Sequence, residues 1–298
     1  MDLSVVVPTL NAEMALSDCL DALADVAPDA ERIVVDGPSV DGTSGMVTER
    51  DDVAVLIELA DRGVNVARNA GLAVATGDVI AYVDGFTVVQ PGWRSALEEA
   101  ITAGADVVTG PVMHRAAVGF ERQAPEERRI AGRDVTYFDG GNVALTRDLL
   151  ERLDGFDEYL RIGGARDAAH RVARLGGHPD WATALTAERS PAAKEETAYG
   201  WKYRSLAYRL AKNYGLRPSI VLRTVRQAVA DGRGELEPVI TGEREPSQWV
   251  GQGRDVLVNG IRGAIDGRVA RLRDRTPARN PNGLSSRTDR AVHTHDWR

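Results

Sequence analysis

Two aspartates that close strand-like runs are the residues best placed for chemistry. Asp36 follows Ile33-Val34-Val35, and Asp84 follows Val79-Ile80-Ala81-Tyr82-Val83. Ligands of open α/β sheets bind beyond the carboxyl ends of the strands, so both carboxylates are expected at one ligand-binding edge. Taken alone, each also reads as an ordinary turn residue. Several other chemistries are excluded. No G-x-G-x-x-G follows the first apolar run, where Pro8-Thr9-Leu10-Asn11 stands instead, and no G-K-[ST] occurs. H-E-x-x-H and G-x-S-x-G are absent as well. His293, His295 and Asp296 have the side chains of metal ligands, but they sit in a polar, Arg-rich tail that reads as solvated.

The elements that must carry the two aspartates follow from periodicity. Leu3 to Val7, Ile33 to Val35, Val53 to Leu59, Val79 to Val83 and a run from Asp106 read as buried strands. Helical patterns lie between them: from Asn11 to Val26, a short one from Asp41, Arg62 to Ala75 despite Gly63 and Gly71, and one opened by Pro91. Near-continuous apolar strands alternating with helices imply a mostly parallel sheet covered on both faces.

Composition narrows the class. The 298 residues are 43% hydrophobic and 27% charged, which excludes a disordered or collagen-like chain. One cysteine, Cys19, excludes a disulfide framework or a cysteine-built zinc site. No apolar run is long enough to span a membrane, and the N-terminus lacks the basic flank of a signal peptide, so a cytoplasmic location is expected. The net charge of −7 divides into −16 over residues 1–196, +7 over 197–230 and +2 over 231–298. Three lysines stand against 34 arginines, which with the acidic body fits a halophilic source.

In order, the chain carries Val5-Val6-Val7-Pro8-Thr9-Leu10-Asn11-Ala12-Glu13, then Val34-Val35-Asp36-Gly37-Pro38-Ser39-Val40-Asp41-Gly42-Thr43, then Arg62-Gly63-Val64-Asn65-Val66-Ala67-Arg68-Asn69-Ala70-Gly71. Tyr82-Val83-Asp84, Gly140-Gly141-Asn142-Val143-Ala144 and Asp154-Gly155-Phe156-Asp157-Glu158 follow. These six blocks resemble the family 2 glycosyltransferases of GT-A fold, over roughly residues 1–180. The resemblance implies transfer of a sugar from a nucleoside diphosphate donor to an acceptor hydroxyl, and a GT-A domain over residues 1–190. It implies that Pro8, Thr9 and Asp36 line the nucleoside pocket, that Arg68 sits near the base, and that Asp84 lies by the ribose and a divalent cation, Mg²⁺ or Mn²⁺. Asn142 and Asp157 would face the acceptor and diphosphate. Arg68 also reads as a plain helix salt-bridge partner.

Two positions depart from the family pattern. Phe86 stands where a second metal-binding acid is usual, which removes one oxygen ligand. In Gly163-Gly164-Ala165-Arg166-Asp167-Ala168-Ala169-His170-Arg171, the usual paired acids fall on Gly164 and Ala165. Asp167 is the expected base, with Asp157 as understudy; a plain helix N-terminal charge is the other reading of Asp167. His170 reads as structural. A catalytically impaired nucleotide-sugar-binding protein is therefore the rival to an inverting hexosyltransferase. A nucleotidyltransferase would need a Gly-rich, basic N-terminal loop that is missing.

Residues 191–272 read as a helical, basic and aromatic extension. In 201–214 an apolar stripe of Tyr203, Leu206, Ala207, Leu210 and Tyr214 opposes Lys202, Arg209 and Lys212. A second amphipathic segment starts at Pro218, with Arg223 and Arg226 on its flank. Either the pair packs on the sheet domain, or residues 201–229 meet an anionic membrane and a polyprenyl- or dolichol-phosphate acceptor. Nucleic acid is not an expected partner, because the acidic body would repel it. Together with the composition, this extension makes the chain resemble hexosyltransferases of haloarchaeal surface-glycan and protein N-glycosylation pathways. Pro246 to Gly253 is expected as a loop, Val256 to Leu272 as a helix, and residues 273–298 as disordered.

Overall fold

The apolar runs become the middle of one sheet. In the computed structural model, which describes residues 1–116, 119–122, 125–191, 199–218, 222 and 246–298, β1 (Leu3–Thr9), β2 (Glu31–Asp36), β3 (Val55–Leu59) and β4 (Val79–Val83) run parallel. The helices α1 (Glu13–Val26), α2 (Thr43–Thr48) and α3 (Val64–Val74) make the crossovers. Alternation along β1 divides the core. Val6 faces the layer of α3, while Val5 and Val7 face the layer of α1. Gly71 of α3 permits the close approach, since a Cβ there would lie 2.3 Å from Val6 Cγ1.

The remaining elements widen this sheet and add a second. They are β5 (Thr87–Val89), α4 (Trp93–Thr102), β6 (Val107–Thr109), β7 (Val112–Ala116), β8 (Gly119–Arg122), β9 (Glu126–Ile130), β10 (Arg133–Tyr137), β11 (Asn142–Thr146), α5 (Arg147–Leu153), α6 (Gly164–Leu175), β12 (Pro179–Trp181) and β13 (Ala187–Arg189). Then come α7 (Tyr199–Tyr214), α8 (Pro246–Arg273) and β14 (Ala291–Asp296). The large sheet has the order β12-β6-β11-β4-β1-β2-β3-β14, with β11 and β14 antiparallel to their neighbours. A smaller sheet, β5-β13-β7-β8, stands beside it, and β9 and β10 form a hairpin. The class is mixed α/β, a large central sheet flanked by helices.

The C-terminal third departs from the sequence expectation in two ways. The segment expected as a loop at 246–253 is the first part of α8, which continues unbroken to Arg273. Its glycines are contact points: Cβ atoms at Gly263 and Gly267 would lie 2.1 Å from Arg204 O and 2.3 Å from Tyr208 O of α7. The tail expected as disordered is ordered. Asn280 donates to Asp154 O at 2.8 Å, Arg290 Nε donates to Glu158 Oε1, and β14 pairs along the edge of β3. Its order comes from backbone pairing and Asn and Arg hydrogen bonds rather than from apolar burial, so its polar composition concealed it. No helix among the described residues is long and apolar enough to cross a membrane.

The stripe on α7 is buried, with Tyr203, Ala207, Leu210 and Tyr214 in the interior. Lys212 follows it inside. Its Nζ donates to Asp157 Oδ2 at 2.6 Å and to Asp167 Oδ2 at 2.7 Å, and all three side chains are fully buried. Arg171 completes the cluster, 2.9 Å from Asp167 Oδ2, and its other nitrogens donate to Leu153 O and Gly155 O. One turn away, His170 lies between Tyr214 Oη at 2.8 Å and Tyr137 Oη at 3.3 Å. Burial, then the Arg209 charge, pulls its imidazole down to about 3.

Both features predict stability. Lys212→Met removes the cation paired with Asp157 and one of the two paired with Asp167, and should cost about 3–5 kcal/mol in urea denaturation. For His170, the unfolded chain holds one proton more than the folded chain between its ordinary pKa of 6.5 and about 3. Its contribution is thus complete above pH 6.5 and is lost as pH falls, at roughly 1.4 kcal/mol per pH unit. Urea titrations between pH about 5 and 6.5, where most carboxylates stay ionised, should show this slope, and His170→Gln should flatten it.

Candidate functional site

Asp36 and Asp84 do come to the same sheet edge. Thr9 is opposite Asp36 in the β1–β2 register, and Asp84 is the first residue after β4. The backbone stitches the edge together: Gly37 N donates to Thr9 O at 2.9 Å and Gly85 N to Pro8 O at 3.2 Å. Asp36 is fully buried, each oxygen taking a hydroxyl at 2.6 Å, from Ser39 and from Ser44. Burial pushes its carboxyl up against those two hydrogen bonds.

A charged cluster adjoins this edge, built around the Gly140-Gly141 turn before β11. Arg68 reaches it from α3, donating to Asn65 Oδ1 at 2.9 Å and Gly140 O at 2.8 Å, with its guanidinium 5.1 Å from the Phe156 ring centroid. Burial pulls the Arg68 guanidinium below its ordinary value, opposed by the charges of Asp84 and Asp139. Asp139 Oδ1 accepts from Gly141 N at 2.7 Å and from Arg189 Nη2 at 3.0 Å. Arg189 is carried beside the Asp84 turn because β13 pairs with β5, and Ser190 N donates to Phe86 O. A Cβ on Gly141 would lie 2.7 Å from Asp84 Cβ and 3.1 Å from Arg189 Nη2, so only glycine lets the two charged side chains stand this close. Thr9 Oγ1 and Arg68 Nε are buried there without a hydrogen-bond partner among the described residues. Such atoms mark places where a ligand or water belongs.

The structure brings Pro8, Thr9, Asp36, Arg68 and Asp84 to one edge, and it sets Asn142, Asp157 and Asp167 in internal hydrogen-bond networks. Asn142 is a fully buried strut, accepting from Trp93 Nε1 at 2.9 Å and donating to Leu185 O at 2.8 Å. Asp157 is fully buried against Lys212, Tyr208, the Tyr159 N–H and Asn282. Asp167 is enclosed by Lys212, Arg171 and Asn213. Burial alone would raise its carboxyl, but the Lys212 and Arg171 charges hold it down at about 2. Asp167, expected as the base, is thus built into the interior with both oxygens engaged rather than presented at the sheet edge. The part of 201–229 expected at a membrane is packed over 203–215, with no exposed residue there; 219–221 and 223–229 lie outside the described residues.

Sequence reasoning missed Asp139 and Arg189. Asp139 was findable, since it directly precedes the Gly140-Gly141 block. Arg189 ends a three-residue strand that no pattern marks. Ala165 also belongs here, because its Cβ is 3.1 Å from where a Cβ on Gly140 would lie.

The donor set for a divalent cation is small. Asp84 accepts the Phe86 N–H at 3.2 Å, and the Phe86 side chain packs into the core layer of α1. No group of three His, Cys, Asp or Glu side chains suited to a metal occurs among the described residues. Hard cations such as Mg²⁺ are commonly held by one or two carboxylates plus water and substrate phosphates, and Asp84 fits that single-carboxylate mode.

Comparisons with known proteins match this layout. Haloferax volcanii glycosyltransferase AglE is 31% identical over 209 residues, covering 59% of this chain and 66% of that protein. The glucosyl-dolichyl phosphate glucuronosyltransferase of the same organism is 28% identical over 195 residues, covering 58% and 61%. The chain therefore spans two thirds or less of these relatives. Among solved structures, the mannosyltransferase PcManGT from Pyrobaculum calidifontis, in complex with GDP-Man and Mn²⁺, superposes with a TM-score of 0.55 at 19% identity, over 89% of this chain and 86% of that one. S. aureus TarS residues 1–349 give a TM-score of 0.60 at 18% identity, over 89% and 81%. These neighbours share the GT-A fold. The model of glycosyl transferase family 2 matches residues 4–155, and the chain belongs to that family.

Proposed function

We propose that the chain is an inverting hexosyltransferase, moving a sugar from a nucleoside diphosphate donor to a polyprenyl- or dolichol-phosphate-linked acceptor in surface-glycan assembly. The observation that carries this reading is the set of charged groups around Gly141, where two guanidiniums and two carboxylates meet at the ligand-binding edge. The lipid-linked acceptor draws support from the glucuronosyltransferase relative's name. Location at the cytoplasmic face of a membrane follows from that acceptor.

The nucleoside lies against Pro8, Thr9 and Asp36, with Asp36 accepting from base or ribose. Arg68 sits near the base, and Arg189 faces the diphosphate, where preorganised positive charge favours departure of the leaving group. Asp84 would hold a divalent cation, Mg²⁺ or Mn²⁺, which would supply further charge neutralisation when bound. The acceptor oxygen attacks the anomeric carbon as the bond to the diphosphate oxygen breaks. The hydroxyl proton passes to a carboxylate. With Ala165 in place of the family's acid and Asp167 enclosed, Asp139 takes this role: its loop faces Ala165, and both of its hydrogen bonds fall on Oδ1, which leaves Oδ2 for the proton.

Ala165 and the enclosure of Asp167 also favour a second reading, a nucleotide-sugar-binding protein that partners an active transferase. Donor binding by calorimetry and transfer to a lipid-phosphate acceptor, over a panel of UDP- and GDP-sugars, separate the two. Asp84→Ala should abolish transfer. Asp139→Asn should lower kcat by about 10²–10⁴-fold with donor affinity retained. Wild-type turnover in Asp84→Ala would sink the transferase site, and donor binding with no transfer by the native protein would establish the second reading.

A further inference from the structure

The outer face of α8 is apolar and uncovered among the described residues. Leu257, Ile261, Ile265 and Leu272 are 64%, 53%, 56% and 49% exposed, and Val258 and Val269 accompany them. At about 100° per residue these six fall within an arc of roughly 120°, along about 22 Å of helix. The opposite side, with Gly263, Gly267 and Ala270, is the one that packs on α7. Scattered single apolar residues on a surface are ordinary; a continuous stripe is not.

The charges beside the stripe identify its partner. Arg254 and Arg268 lie within the arc, Arg262 and Arg273 along one border, and Arg275 just beyond the helix end, all exposed. Of the three acids between 253 and 275, Asp266 is engaged by Tyr159 and Arg204, and Asp274 by Thr276 and Asn280. Only Asp255 is fully outward among them. A second copy docked symmetrically through this face would set arginine against arginine. A surface that is apolar inside and anionic at its boundary matches it instead. Long Arg side chains can lie along the apolar layer and leave their heads among anionic groups.

We propose that α8 is the membrane-docking element, seated in the headgroup region of an anionic bilayer with Leu257, Ile261, Ile265 and Leu272 inserted and the arginines on lipid phosphates. This moves the membrane contact from 201–229 to the outer face of 254–275. Its purpose rests on the lipid-linked acceptor proposed above; its test does not, because the vesicles carry no acceptor.

Flotation with vesicles of phosphatidylglycerol and phosphatidylcholine in a 3:7 ratio should recover the full chain. Ile261→Asp with Ile265→Asp should weaken binding at least tenfold, with the circular dichroism spectrum and nucleotide-sugar affinity unchanged, since both side chains are exposed. Arg262→Glu with Arg268→Glu should remove most of the difference between these vesicles and pure phosphatidylcholine. Three results would overturn the proposal: no recovery by the native chain, recovery unaffected by the aspartates, or a dimer in sedimentation that these aspartates dissociate while vesicles are ignored.

Discussion

The buried Lys212 ammonium is the constraint on which the arrangement depends. Asp157 and Asp167 come from different elements and would repel each other in the interior. A cation between them makes their joint burial tolerable, since an unpaired buried carboxylate is very costly. Lys212 sits on α7, so the cluster can form only when the C-terminal helices dock. Asn213 of the same helix donates to Asp167 Oδ1, Tyr208 shares Asp157 Oδ2 with the lysine, and Asn282 of the tail donates to Asp157 Oδ1. The catalytic-domain helix α6, the 154–158 turn, α7 and the tail are thereby fixed to one another by a few hydrogen bonds.

This explains why the sheet and its edge were legible in the sequence and the burial of Asp157 and Asp167 was not. Strands such as Val79 to Val83 are buried on both faces, so their apolar runs are visible without a partner. Asp36 and Asp84 are placed by backbone position alone. The fates of Asp157 and Asp167 depend on a lysine 55 and 45 residues further along the chain, and nothing local announces that pairing. Asn142 is similar: its motif position is recognisable, but its hydrogen bond to Trp93 becomes visible only once α4 lies against the sheet. Glycines mislead in the same way. Gly263 and Gly267 weaken a helix by propensity, yet they create the close contact with α7 that holds it.

The two departures from the family pattern have a common physical sense. Phe86 and Ala165 each remove an acid from the pocket, which leaves less negative charge for a cation to bind and less for a diphosphate to meet. Arg189 and Asp139 occupy the space between those positions. The Arg189–Asp139 pair supplies fixed charge of both signs at that edge without the full set of acids. Gly141 makes this possible, because any Cβ there would separate Asp84 from Arg189.

The charge of the chain must be read the same way, by where each group ends. The +7 segment looked like a surface for anionic partners. Of its described cations, Lys212 is consumed by two buried acids, and Arg204 by Tyr159 and Asp266. The later segment, with a net charge of only +2, looked unremarkable because its acids offset its arginines in a sum. Along α8 they do not: Asp266 and Asp274 are engaged, and the exposed arginines share one side of the helix with its apolar stripe. Net charge summed along a sequence therefore says little about a surface, and among the described residues exposed arginines gather along α8.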